Sequence, residues 1–193
     1  CDNCYCSCEK GFRPDLEAGF SENSRKTDSK EKWENLKAGD CITFGRYGSE
    51  PIQWRVLKKS QQEILLITQK AIDSRRFHDH YKKVTWESCS LRKWLNAEFL
   101  HEAFTDEEQK QIISSEVPAH KNPRTGTNPG NPTRDRIFLL SAEEAEQLFD
   151  SGEARECLPS KLAKKNGGYA SGGKESCWWW LRTPGSTGFF TTL

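Results

Sequence analysis

The sequence predicts an α+β domain, a mixed or antiparallel sheet with two to three helices. Three observations carry that prediction. Short runs rich in β-branched and aromatic residues crowd residues 40–70. Helical periodicity with capping boxes follows. The order never settles into alternating strand and helix, so a doubly wound parallel sheet is excluded.

The three strands are "DCITFGRY" (40–47), "IQWRVLKK" (52–59) and "EILLITQK" (63–70), separated by Gly, Ser, Pro or Gln breaks. In the second, Ile52, Trp54 and Val56 alternate with Gln53, Arg55 and Leu57, which predicts one more apolar face. "KSQQ" is the hairpin connection to the third. A helix over 90–100 places Leu91, Trp94, Leu95 and Phe99 on one stripe. A second helix starts at the capping box Thr105–Glu108, runs through Ile112 and Ile113, and ends near Pro118. Residues 117–135 then form a long Pro, Asn, Gly and Arg loop with almost no apolar content. Loops of this kind carry binding residues when a rigid scaffold holds them. "RIFLL" (136–140) is a strand. "SAEEAEQLF" is a third helix behind the capping box Ser141–Glu144, with Ala145, Leu148 and Phe149 inward and Gly152 as its stop. "NGGYASGGKES" is a flexible loop that delivers the chain to a last strand, "WWWLRTPG".

Residues 1–32 stand apart as a cysteine-rich tail and polar linker, with the domain occupying 33–193. The eight cysteines divide evenly. Cys1, Cys4, Cys6 and Cys8 have the spacing C-x2-C-x-C-x-C. That spacing fits a zinc site, the end of an EGF-like module, an acylated lipoprotein start, or a remnant with no role. Cys41, Cys89, Cys157 and Cys177 fit two disulfides or, inside a cell, four buried thiols.

Net charge is +1 from 29 basic and 28 acidic residues, so no global field favours nucleic acid or an anionic membrane. No apolar run approaches the ~20 residues of a membrane helix. Met is absent, including at position 1, and "TGFFTTL" stops without a turn. The chain therefore reads as a fragment.

Five segments in order, "PIQWRVL", "TWESCSLRKWLN", "AFTDEEQKQI", "RIFLLSAEEAEQLF" and "WWWLRTPG", resemble a bacterial family of uncharacterised domains, domain of unknown function 6273. The resemblance covers about residues 33–193, with Thr183 in place of the usual Ser. It implies a C-type-lectin-like domain. Relatives continue with further strands, which implies that C-terminal strands are missing here. The calcium-binding Glu-Pro-Asn and Trp-Asn-Asp motifs of C-type lectins are absent, which disfavours calcium-dependent sugar binding. The resemblance brings no assigned activity.

Trp is too large and scarce to be placed at random, so three in a row mark a core strand or a binding surface. The run is read chiefly as packing, with Trp179 and Arg182 the pair offered to a ligand: a ring face for a sugar and a fork for a carboxylate. The expected contact set is Trp179, Arg182 and Thr183 from this strand with Asn128, Asn131 and Arg134 from the long loop. No catalytic residue and no cofactor are expected. "FHDHYKK" supplies only two histidines, a weak metal site. No nucleophile elbow, phosphate loop, dinucleotide fingerprint or zinc-protease motif is present. The expected function is non-catalytic recognition of a glycan or protein, extracellular or at a bacterial cell surface. The alternatives are a cytoplasmic setting, a thiol- or metal-dependent enzyme pairing Cys157 with Cys177, and a purely structural module.

Overall fold

The computed structural model describes residues 33–168 and 175–186 in full, and the backbone alone of Tyr5–Cys6, Glu9–Phe12 and Phe190–Thr192. The side chains of the four N-terminal cysteines, the whole polar linker and residues 169–174 of the expected flexible loop lie outside the described residues.

The first strands are β1 (Tyr5–Cys6), β2 (Glu9–Phe12), β3 (Cys41–Tyr47), β4 (Glu50–Lys59), β5 (Ile64–Thr68), β6 (Lys70–Ala71) and β7 (Asp73–Ser74). Next come α1 (Ser90–Asn96), α2 (Glu98–Ala103) and α3 (Asp106–Gln111), then β8 (Ser115–Val117) and β9 (Thr133–Asp135). The remainder is α4 (Ala142–Leu148), β10 (Leu158–Pro159), α5 (Lys161–Lys165), β11 (Trp180–Pro184) and β12 (Phe190–Thr192).

The main sheet has the order β2-β5-β4-β3 and is antiparallel throughout. Short pairings surround it: β1 with β7, β8 with β9 and β11 with β12 antiparallel, and β6 with β10 parallel. The molecule is thus α+β with a predominantly antiparallel sheet and few helices. Within residues 1–32, the two described stretches pair with strands of the domain: Glu9 lies opposite Ile67 and Tyr5 opposite Ser74.

Ile52, Trp54 and Val56 are buried as their alternation predicts. The hairpin at 60–63 closes through Ser60, whose Oγ accepts the N–H groups of Gln62 and Glu63. The expected helix over 90–100 is two helices. Ala97 leaves helical geometry (φ −123°, ψ −93°), and the preceding Asn96 side chain is engaged with residues 136 and 137. Leu91, Trp94, Leu95 and Phe99 still reach one core because the break keeps them on the same side.

Two expectations are corrected. The helix opened by Thr105 stops at Gln111, and Ile112 is already extended. Residues Ser115–Val117 form a ladder with Thr133–Asp135, so Pro118 follows a strand. The strand expected over 136–140 is assigned at 133–135. Ile137, Phe138, Leu139 and Leu140 are buried, and Leu140 accepts the Arg182 N–H.

The 118–132 loop between β8 and β9 is held by asparagine-centred turns. Asn122 Oδ1 accepts the N–H groups of Arg124 and Thr125, and its Nδ2 donates to the Pro184 carbonyl at 2.8 Å. Gly130 is at φ +85°, and a Cβ there would lie 2.7 Å from Thr85 Oγ1. That site accepts only glycine.

Burial divides into two clusters. The larger surrounds Trp54, Phe99 and Trp180 between the sheet and α1–α3. The smaller gathers Ile67, Phe149, Cys157, Cys177, Trp179 and Leu181. The tryptophan run sits between them and supplies one ring to each.

Candidate functional site

Trp179 and Trp180 are 3% and 2% exposed, whereas Trp178 is 52% exposed. β11 begins only at Trp180, so strict alternation does not extend back through the run. Both buried indoles are satisfied: Trp179 Nε1 donates to Arg155 O at 3.0 Å and Trp180 Nε1 to Arg75 O at 2.9 Å.

Arg182 is engaged internally. Its guanidinium donates to Leu139 O, to Pro118 O and, as a bidentate pair, to Glu144. Burial alone would raise the Glu144 carboxyl. Hydrogen bonds and charge from Arg182 outweigh it and hold the group below its ordinary range. Thr183 is buried as well, its Oγ1 accepting the Ala142 N–H at 2.9 Å. Asn131 is exposed and binds the Glu87 carboxylate through its backbone and side chain. Asn128 is exposed and caps the Gly130 N–H, and Arg134 is exposed on β9. Asn131, Arg182 and Thr183 do converge, but around an interstice of about 10 Å³, room for one water at most.

Trp179 faces different surroundings. It lines a cavity of about 310 Å³ between the β5–β6 corner and residues 154–158. The other principal walls are Arg55, Lys70, Phe149, Arg155 and Cys157. Exposed Gln69, Glu156 and Leu158 form its mouth. The Arg55 guanidinium stands 5.0 Å from the Phe149 ring centroid and donates to Ala154 O. Among the described residues, Arg55, Lys70 and Arg155 have no carboxylate partner. Three cations and the Glu156 carboxylate thus line a concave, partly aromatic wall.

Cys157 and Cys177 lie opposite one another in an antiparallel bridge, with the Cys177 N–H on Cys157 O at 2.7 Å. The hydrogen bond from Cys177 holds the Cys157 thiol below its ordinary value, helped by the Ala71 N–H and Arg55 against the cost of burial. Cys177 is pushed up by the same hydrogen bond and by burial.

Two buried carboxylates are saturated packing nodes, whereas Ser74 Oγ and His78 Nε2 are buried without a hydrogen-bond partner among the described residues. Asp73 accepts from Tyr47, Arg75 and Asn166, and Asp135 from Trp86, Arg92 and Thr133. Tyr47 is pushed up to about 12, chiefly by burial. His78 Nδ1 faces Ser90, and its ring is 6.1 Å from that of His80. Among the described residues no group of three or more His, Cys, Asp or Glu could hold a metal ion. No helix among the described residues is long and apolar enough to cross a membrane.

The sequence pattern of one family, Domain of unknown function (DUF6273), matches residues 61–192. The chain belongs to this family. The match takes in every helix named above and the tryptophan run. It begins after the "PIQWRVL" strand, so that motif and Arg55 lie outside it while the rest of the cavity lies within the DUF6273 region. Comparison with curated proteins and with solved structures gave no match.

Of the residues expected at the site, only Trp179 lines the cavity. Its cationic partners went unread because they are far apart in sequence. Arg55 reaches the carbonyl of Ala154, 99 positions away. The one local signal was Arg55 on the more polar face of an otherwise apolar strand.

Proposed function

We propose that this domain is a non-catalytic recognition module of a bacterial surface or secreted protein, with a C-type-lectin-like fold, whose cavity at Trp179 takes an acidic glycan. The fold reading is supported by the order of the elements: hairpin sheet, helices, a long excursion at 118–132, and a tryptophan strand closed by a terminal hairpin. The observation that carries the function is the trio Arg55, Lys70 and Arg155 around one cavity, without carboxylate partners among the described residues. A carboxylate or phosphate on a sugar satisfies all three, while its ring covers Leu158 at the mouth. The proposed site is therefore the cavity at Trp179 and not the loop with Arg182.

The test is binding to an array of neutral, uronic-acid-bearing and phosphorylated glycans. Selective binding to acidic members is expected, weakening as salt rises. Arg55→Ala and Lys70→Ala should each weaken it about tenfold, ~1.4 kcal/mol, with the thermal transition unchanged for Lys70→Ala. A folded protein that binds no acidic glycan, or binds equally after both substitutions, overturns the reading.

A further inference from the structure

We propose that Cys157 and Cys177 form a thiol–disulfide exchange site, with Cys157 the thiol that meets an incoming small disulfide through the cavity and Cys177 the thiol that resolves it. It uses the cavity of the glycan reading but does not require a glycan to bind there.

Three observations converge. The two residues face each other across an antiparallel bridge and share a backbone hydrogen bond. Facing residues of a hydrogen-bonded antiparallel pair have Cα atoms about 5.5 Å apart, within the range a disulfide spans. The roles are asymmetric. Both thiols are buried, at 7% and 4% exposed, but Cys157 lines the 310 Å³ cavity and Cys177 does not. The charge around them is asymmetric in the same sense. The Cys177 thiol, the Ala71 N–H and Arg55 together outweigh burial and favour thiolate at Cys157. Cys177 keeps its proton while Cys157 is charged, because its hydrogen bond to Cys157, its burial and the repulsion of a second negative charge all push it up.

The exchange balances as follows. The Cys157 thiolate attacks one sulfur of a small-molecule disulfide, R–S–S–R. A Cys157–S–S–R bond forms, and R–S⁻ leaves and is protonated by solvent. Cys157 no longer carries charge, so Cys177 releases its proton and attacks the Cys157 sulfur. The second R–S⁻ leaves, and the Cys157–Cys177 bond closes. The protein dithiol is oxidised by two electrons, and one disulfide becomes two thiols.

The experiment is to equilibrate the whole chain in mixtures of reduced and oxidised glutathione, quench with acid, alkylate and map the peptides. The expected result is a linked Cys157–Cys177 peptide whose fraction follows the buffer ratio, while fully buried Cys89 stays a thiol. Cys177→Ser should accumulate glutathione on Cys157, and Cys157→Ser should place none on Cys177. The inference is overturned if Cys157 and Cys177 both remain thiols at ratios that load exposed Cys41. It is equally overturned if either pairs instead with an N-terminal cysteine. Should a serine variant fail to fold, the unsubstituted chain decides.

Discussion

Arg182 brings a full positive charge into a site where its side chain is 4% exposed, and acceptors surround it: Leu139 O, Pro118 O and both Glu144 oxygens. Such a pair tolerates loss of one partner poorly, because the other charge is stranded. Arg182→Ala should cost about 3–5 kcal/mol in a urea titration, far more than removing a ligand contact would. The pair also sets an acid limit. The folded-state pKa of Glu144 is depressed, so its contribution is complete above the ordinary value of 4.5 and fades as pH falls through the lowered value. Melts at stepped pH should show a slope below about 4.5 that Glu144→Gln flattens. If that slope is the same in both proteins, Glu144 is not the responsible group. Half of this node was legible in the sequence. The Ser141–Glu144 box is a spacing of three, whereas Arg182 lies 38 positions from Glu144, and nothing local announces a partner at that distance.

At the scale of elements, β3 shows how one residue can set a contact between a sheet and a helix. The register of β3 on β4 shifts between Thr43 and Arg46. Gly45 sits in the shift at φ +72°, where a Cβ would stand 2.1 Å from the Phe104 ring. Its N–H donates to Glu108 Oε1, while the other oxygen of Glu108 caps α3 at Thr105. One carboxylate therefore fastens a helix start to a bulge. Gly45→Ala should destabilise by about 2 kcal/mol or more through strain and overpacking. A thermal shift measured beside Gly39→Ala controls for backbone strain, since Gly39 also has positive φ but open space around it. Equal shifts would show that the Phe104 contact is unimportant. The strands and capping boxes were readable because alternation and capping act within a few residues. The break at Ala97 and the end of α3 at Gln111 were not. Each is decided by a distant segment, Arg136–Ile137 in one case and β9 in the other.

Across the whole molecule, the tryptophan run is one of the places where the two apolar clusters join, beside Leu66–Ile67, Ala71–Ile72 and Leu139–Leu140. The sequence marked the run as packing, and two of its three rings do pack. The cavity was not legible, since its walls come from β4, β6, the end of α4 and residues 154–158, which no motif links. The run has a further consequence for anyone observing the protein by light. All seven tryptophans are described, and Trp33, Trp54, Trp86, Trp94, Trp179 and Trp180 are each at most 9% exposed. Trp178 alone, at 52%, meets water. Emission should therefore resolve into a large blue-shifted component that acrylamide barely dims and a small red-edge component that it extinguishes. Trp178→Phe should delete the second and leave the first. The chain thus carries its own optical reporter, one residue from Cys177 and one from the cavity wall at Trp179. Glycan capture or closure of the disulfide should register there as a change in colour, with no dye attached.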